Sequence, residues 1–296
     1  MVRGDAAHQA TGWDRPPPLR RTVIVMWTAI VGIDGSTGAE RALRWAVALA
    51  QHRGGAVTAV HAYPVPANLD PRLAQQVDEE AARLADEVVS EAISGIGEAP
   101  VRIDREIRAV SEGNTAQALL EAASDADLIV SGSRGIGGFF GLVMGSVSMQ
   151  LVSHAPCPVG IVPGADRGGE PVAEGGRVLV GVDGSEHARR AVDWAVDEVR
   201  RGGGTLVMVA ASDDVREREG KETIEKLRAH VPDDVAVEEQ PVIGTPAEVL
   251  INRSGDARLT VVGSRGRGGF RGMLLGSVGL QLAQHAQSPV VIVRGD

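Results

Sequence analysis

The stretch Gly132–Val147 reads GSRGIGGFFGLVMGSV, and the stretch Gly263–Val278 reads GSRGRGGFRGMLLGSV. Both have the spacing Gly-x2-Gly-x9-Gly-Ser, and they begin 131 positions apart. Aligned without gaps, residues 132–162 and 263–293 are identical at 19 of 31 positions. A match of this length indicates that a complete folding unit has been duplicated.

The sequence upstream of each glycine block is repeated as well. The motif Gly-x-Asp-Gly-Ser follows the first apolar run of each unit, at 32–36 and at 181–185, an offset of 149. The second unit is therefore 18 residues shorter between this motif and the glycine block. We expect the missing residues to lie between the second strand and the second helix.

Short apolar runs alternate with amphipathic segments in both units, which indicates strands separated by crossover helices. The predicted strands are 29–33, 57–62, 103–110, 127–133 and 158–163 in the first unit, and 178–182, 206–210, 235–242, 259–263 and 289–293 in the second. Strands joined in this way form parallel sheets with helices on both faces. The sequence therefore predicts an α/β fold of two tandem Rossmann-like (doubly wound) domains, each with a five-stranded parallel sheet.

The predicted domain boundaries follow from the repeat. Residues 28–163 form the first domain and 177–296 the second, and a polar, glycine-rich linker spans 164–176. Residues 1–27 have no counterpart in the second unit, apart from the last few before the first strand. We expect this segment to be a disordered tail, or an over-long start for which Met26 is the natural initiator.

Composition narrows the class of protein. With 43% hydrophobic and 23% charged residues, the 296-residue chain is typical of soluble globular proteins. A net charge of −9 argues against a general nucleic-acid binder. The apolar run 23–33 is too short to span a bilayer. Cys157 is the only cysteine, so the chain has no internal disulfide and a cytoplasmic location is expected. We expect its side chain to be buried in the core.

The glycine blocks have the features of an anion site. Each block follows the fourth strand of its unit and ends at the start of a helix, where free N–H groups and the helix dipole favour phosphate. Glycines let the backbone approach a ligand closely, and they can adopt positive φ. A Walker loop is excluded because the chain has no Gly-Lys-Ser/Thr, and the dinucleotide fingerprint is excluded because the first strands lack Gly-x-Gly-x-x-Gly.

With its duplicated glycine spacing, first-strand Asp and closing HAxxPVxIV segments, the chain resembles the universal stress protein family, in its tandem, ATP-binding form. The resemblance covers about residues 28–163 and 177–294. It implies one ATP site in each unit, with Mg²⁺ bridging the phosphates, and a role as a nucleotide-dependent stress-response and growth regulator. It also implies that the segments 158–162 and 289–293 pair within the chain, and that two chains associate as a homodimer.

The resemblance further implies which residues bind the nucleotide. Asp34 and Asp183 would contact the adenosine portion, and the ends of the second strands would bound the adenine pocket. The glycine blocks would pass over the ribose and phosphates, and the Gly-Ser-Val segments would hold the phosphate tail. The complete predicted set is Gly32, Asp34, Ala62, Gly132, Ser133, Arg134, Gly135, Ile136, Gly137, Gly138, Gly145, Ser146 and Val147, with Gly181, Asp183, Ala211, Gly263, Ser264, Arg265, Gly266, Arg267, Gly268, Gly269, Gly276, Ser277 and Val278.

No catalytic residue and no protein-held metal are predicted. The chain shows no duplicated nucleophile–base pattern and no obvious base for phosphoryl transfer, so any ATP hydrolysis would be slow and incidental. His154 and His285, the matched pair of histidines, are expected to pack or cap helix ends. Three alternatives stay open: a weak ATP hydrolase or phosphotransferase, a nucleotide-free scaffold for protein contacts, and AMP as the ligand. The regulatory protein partner is unknown.

Overall fold

A computed structural model of the protein describes residues 26–66, 70–110, 114–135, 144–164, 174–212, 217–267 and 274–295. Its strands form one ten-stranded sheet in the order β3-β2-β1-β4-β5-β10-β9-β6-β7-β8. The strands of the first unit are Thr28–Gly32 (β1), Ala56–Pro64 (β2), Ile103–Val110 (β3), Leu128–Gly132 (β4) and Val159–Val162 (β5). Those of the second unit are Arg177–Gly181 (β6), Thr205–Ser212 (β7), Val237–Ile243 (β8), Leu259–Gly263 (β9) and Val290–Val293 (β10).

Helices connect successive strands within each unit. In the first unit they are Thr37–Arg53 (α1), Pro71–Ser94 (α2), Thr115–Ala122 (α3) and Ser146–His154 (α4). In the second they are Glu186–Gly202 (α5), Glu217–Arg228 (α6), Pro246–Ser254 (α7) and Ser277–His285 (α8). The α/β architecture predicted from the alternating runs is confirmed.

Pairing within each unit is parallel, and the two units meet through an antiparallel pair. β1 lies between β2 and β4, and β6 lies between β7 and β9, all in parallel register. At the junction Val290 pairs with Ile161 and Ile292 with Val159, in antiparallel register. The expectation that the last strands of the two units pair within the chain is therefore confirmed, and the two five-stranded sheets are one continuous sheet.

The strand order places a crevice in each unit. In the order β3-β2-β1-β4-β5, the strands β2 and β3 lie on one side of β1, and β4 and β5 lie on the other. Loops leaving β1 and β4 therefore diverge at their carboxyl ends, which is where open α/β sheets bind ligands. The mirror order β10-β9-β6-β7-β8 creates the same situation between β6 and β9.

The first helix of each unit begins at a serine N-cap. The Ser36 hydroxyl accepts a hydrogen bond from the Ala39 amide at 3.1 Å, and Ser185 does the same for Ala188 at 3.1 Å. These caps satisfy amides that have no partner inside the helix. The following alanines and leucines of α1 are buried against the sheet, including Ala42 and Leu43 with no exposed surface.

The expected position of the missing residues in the second unit is wrong. The second helix itself is shorter, because α2 has 24 residues and α6 has 12. Truncating a helix outside the sheet removes surface without disturbing the buried strands. The part of the chain that the structure describes contains no helix that is both long and apolar enough to cross a membrane.

Candidate functional site

Two cavities of similar size lie at the carboxyl ends of the central strands. The first, of about 440 Å³, lies between β1, β4 and the start of α4. The second, of about 450 Å³, lies between β6, β9 and the start of α8. These volumes fall within the range of small-molecule sites, roughly 300–1,000 Å³.

Most of the residues predicted for the site line these cavities. In the first cavity they are Gly32, Asp34, Ala62, Gly132, Arg134, Gly135, Gly145, Ser146 and Val147. In the second they are Gly181, Asp183, Ala211, Gly263, Arg265, Gly266, Arg267, Gly276, Ser277 and Val278. Ile136, Gly137, Gly138, Gly268 and Gly269 lie outside the described residues. The structure thus brings both ends of each glycine block to the Gly-x-Asp motif of the same unit.

Ser133 and Ser264 belong to the predicted set but do not line the cavities. They are 1% and 3% exposed. The Ser133 amide donates to the Val162 carbonyl at 2.8 Å, and its carbonyl accepts from the Gly145 amide at 2.9 Å. Ser264 makes the matching bonds at 2.8 and 2.7 Å. These serines join the two ends of each glycine block, because their carbonyls accept hydrogen bonds from Gly145 and Gly276, the residues that precede α4 and α8.

The glycines of the blocks approach other parts of the chain closely. A Cβ at Gly132 would lie 2.7 Å from the Gly38 carbonyl carbon, and one at Gly135 would overlap the Asp34 carboxylate. At Gly266 it would lie 2.5 Å from the Asp183 carboxylate. None of the block glycines within the described residues has a positive φ, so close approach rather than backbone conformation accounts for glycine at these positions. Internal packing against α1 and the aspartate requires glycine here.

Asp34 and Asp183 lie in the turns before the first helices and organise them. Asp34 Oδ1 accepts from the amide and the hydroxyl of Ser36, at 3.0 and 2.6 Å. Asp183 Oδ1 accepts from the Ser185 amide at 2.9 Å, and its Oδ2 accepts from the Arg267 amide at 2.8 Å. Asp183 therefore joins the start of α5 to the glycine block, and its carboxylate also lines the cavity.

Each cavity ends at a helix N-terminus without a side-chain cap. The N-caps of α4 and α8 are Gly145 and Gly276, both in extended conformation and both without a side-chain hydrogen bond. The first intrahelical bonds run from Met149 to Gly145 and from Leu280 to Gly276. The amides before these positions have no partner within the helix, so they favour a bound anion together with the helix dipole.

Most of the remaining lining of each cavity is apolar, and the glycine and aspartate motifs do not predict it. In the first cavity the additional lining residues are Ile33, Ser36, Ala39, Val60, Thr115, Leu119, Ser131, Met144 and Ser148. In the second they are Val182, Ala188, Val209, Pro246, Leu250, Val262, Leu275 and Gly279. Many of these residues occupy matching positions in the two units. The repeat of apolar residues at these positions is the one feature of the sequence that could have indicated them.

The floors of the two cavities differ in polarity. In the first, the Ser148 hydroxyl donates to the Gly132 carbonyl at 2.8 Å and lies 3.0 Å from the Ser131 hydroxyl. The positions that correspond to Ser131 and Ser148 in the repeat are Val262 and Gly279. The second cavity therefore lacks this pair of hydroxyls.

Candidate residues for catalysis outside the cavities show structural roles. Cys157 is buried, and burial raises the pKa of its thiol to about 11. The ring of His154 lies in the last turn of α4, where its Nδ1 is 3.1 Å from the Gln150 carbonyl. Across the described ranges, no group of three or more His, Cys, Asp or Glu residues is placed to hold a metal ion.

A family model described as the universal stress protein family matches residues 26–163 and 176–294. A universal stress protein of Mycobacterium tuberculosis (strain ATCC 25618 / H37Rv) is 36% identical over 290 residues, covering 90% of this chain and 95% of the relative. A universal stress protein of Mycolicibacterium smegmatis is 35% identical over 290 residues, covering 90% of this chain and 96% of the relative.

Among solved structures, the crystal structure of a universal stress protein from Archaeoglobus fulgidus is similar to this fold with a TM-score of 0.70. It is 22% identical in sequence, and the match covers 90% of this chain and 98% of that chain. At this identity the likeness establishes a shared fold.

Proposed function

The chain belongs to the universal stress protein family, and from this premise we propose that it is an ATP-binding, tandem member with one nucleotide site in each unit. Binding at the two sites would regulate the stress response by favouring one conformation or one interface over another. The observation that carries this proposal is the pair of matched cavities, each apolar at one end and open to an uncapped helix N-terminus at the other.

The apolar end of each cavity suits adenine and ribose. Val60, Ala62 and Leu119 line it in the first unit, and Val209, Ala211 and Leu250 line it in the second. Binding of a flat aromatic base against such surfaces is favourable, because it removes apolar area from water. The carboxylates of Asp34 and Asp183 line the same cavities and are acceptors for ribose hydroxyls.

The polar end of each cavity suits a phosphate tail. Gly145 is the N-cap of α4, Ser146 and Val147 are its first residues, and all three line the first cavity together with Arg134. Gly276, Ser277 and Val278 are the matching residues of the second cavity, with Arg265 and Arg267. Amides at a helix start and guanidinium groups both donate to phosphate oxygens. Mg²⁺ would supply further charge neutralisation between phosphates, and the phosphates rather than a cluster of side chains would hold it.

We further propose that the protein acts by binding rather than by catalysis. Asp183 already accepts two backbone hydrogen bonds, which suits a positioning role better than that of a general base. Association of two chains as a homodimer, an as yet unknown regulatory protein partner and a cytoplasmic location belong to the same proposal.

Matched alanines at the ends of β2 and β7 allow a direct test. Ala62→Trp and Ala211→Trp would each fill one cavity with an indole ring. Isothermal titration with MgATP should give two sites in the wild type, one in each single variant and none in the double variant. Ala229→Trp, at an exposed position that lines neither cavity, is the control and should keep both sites. An unchanged stoichiometry in both cavity variants would contradict the site assignment.

The same titration separates the alternatives. A nucleotide-free scaffold would bind neither ATP nor AMP, and an AMP-selective protein would bind AMP more tightly than ATP. A hydrolase would release inorganic phosphate from MgATP at a rate that falls in the double variant. The proposal predicts that phosphate release stays near the buffer background.

A further inference from the structure

The two cavities differ in their cationic side chains although they have similar volumes. Arg134 and Arg265 occupy matching positions in the repeat and line the first and second cavity. The second cavity is also lined by Arg267. The residue at the corresponding position of the first unit is Ile136, which lies outside the described residues. The glycine block of the second unit therefore has two more arginines than that of the first, Arg267 and Arg271, and of these Arg267 lies within the described residues.

Arg267 is held at the edge of the second cavity by α6. Its Nη2 donates to the Thr223 hydroxyl at 3.3 Å, and its Nη1 lies 3.9 Å from the Glu219 carboxylate. Its backbone amide is fixed by Asp183 at 2.8 Å. The side chain is still 55% exposed, so guanidinium donors are available to a ligand. Holding the group in place lowers the entropy that binding would cost.

Arg265 is held in a similar way by a residue that the first unit lacks. Its Nε donates to His187 Nε2 at 3.2 Å, and the position that corresponds to His187 is Gly38. Burial and the nearby charges of Arg265 and Arg190 lower the pKa of His187. The imidazole is therefore neutral at pH 7 and accepts this hydrogen bond.

We propose that the second cavity discriminates between nucleotides by phosphate charge more strongly than the first, and that Arg267 determines this difference. The inference rests on the nucleotide sites proposed above. An additional guanidinium at the cavity edge attracts a triphosphate more than a monophosphate, because the Coulomb energy grows with ligand charge. Charge-assisted hydrogen bonds of this kind correspond to about a tenfold change in affinity.

Single-site proteins make this difference measurable. The Ala62→Trp variant leaves only the second cavity open, and Ala211→Trp leaves only the first. The ratio of AMP to ATP dissociation constants, measured by titration calorimetry, should be about tenfold higher for the second cavity. This excess should shrink as NaCl is raised, because salt screens an exposed charge. Introducing Arg267→Ile, the residue of the first unit, into Ala62→Trp should lower the ratio toward that of the first cavity.

A matched control removes an arginine that lines neither cavity. Arg218 on α6 is 92% exposed and pairs with Glu222, so Arg218→Ile changes the net charge equally and should leave the ratio unchanged. Equal ratios in the two single-site proteins, or an Arg267→Ile variant that weakens ATP and AMP by the same factor, would overturn the inference. Failure of both single-site proteins to bind either nucleotide would instead overturn the proposed function.

Discussion

Replacing Glu198 by glutamine tests how the two units are held together. Glu198 lies on α5 of the second unit, and its side chain has no exposed surface. Its carboxylate accepts from Arg53 at 2.7 and 3.1 Å and from Arg258 at 2.9 Å, and it lies 3.2 Å from His52 Nε2. Because His52 and Arg53 belong to α1 of the first unit, this cluster joins the two units.

The expected cost follows from the burial of the cluster. Breaking a buried ion pair by removing one partner costs about 3–5 kcal/mol, because the other charge stays buried without compensation. We expect Glu198→Gln to lower the free energy of unfolding by about 3 kcal/mol, since the amide keeps the shape but loses the charge. Asp197→Asn is the matched control. Its carboxylate is 43% exposed and also pairs with Arg53, so the cost should stay below about 1 kcal/mol.

The effect should depend on pH. Burial raises the pKa of Glu198, but the hydrogen bond from His52 and the charges of Arg53 and Arg258 outweigh it and hold the pKa below its ordinary value of 4.5. The carboxylate therefore stabilises the fold above pH 4.5, and this contribution is lost as pH falls through the lowered pKa. Urea unfolding followed by circular dichroism measures both effects. Equal losses of stability in Glu198→Gln and Asp197→Asn at neutral pH would show that the buried Glu198 cluster does not hold the two units together.

Three further predictions concern single positions. Gly135→Ala should destabilise the fold by about 1–3 kcal/mol in urea unfolding, because the new methyl group overlaps the Asp34 carboxylate. Gly95→Ala, whose nearest contact would be 3.5 Å away, should be neutral, and equal midpoints for the two variants would contradict the packing argument. Because the pKa of His187 is lowered in the folded protein, stability should fall as pH drops below 6.5. The His187→Gln variant should lose this dependence on pH. Thermal unfolding from about pH 5 to about pH 7.5 measures both. Cys157, whose pKa is about 11, should react with iodoacetamide at pH 8 about 100-fold more slowly in the folded than in the unfolded protein, and similar rates would mean that the thiol is accessible.

The repeat and the apolar runs predict the fold because both depend on local sequence. Strand positions follow from short buried runs, and the glycine spacing identifies the loops at the carboxyl ends of β4 and β9. The pairing of β5 with β10 could be predicted only from the family resemblance. The sequence does not show that the missing residues of the second unit belong to α6, because an amphipathic pattern indicates a helix better than it indicates where that helix begins and ends.

The apolar half of each cavity could not be identified from the sequence. Leu119 and Leu250 have the periodicity of ordinary core residues, and only the packing of α3 and α7 shows that they face a cavity. The sequence also does not show why residue 135 is a glycine. A side chain there would overlap the carboxylate of Asp34, which lies 101 positions earlier in the chain. The Glu198 cluster requires the two units to be assembled, so no pattern within one unit predicts it.

Native mass spectrometry of the intact chain with MgATP counts the nucleotides that the two cavities bind. Two bound nucleotides per chain are predicted, with saturation at two as the ATP concentration rises. The Ala62→Trp and Ala211→Trp variants should each saturate at one. A chain that stays free of nucleotide, or one that binds ATP without saturating at a defined number, would exclude one specific ATP site in each unit.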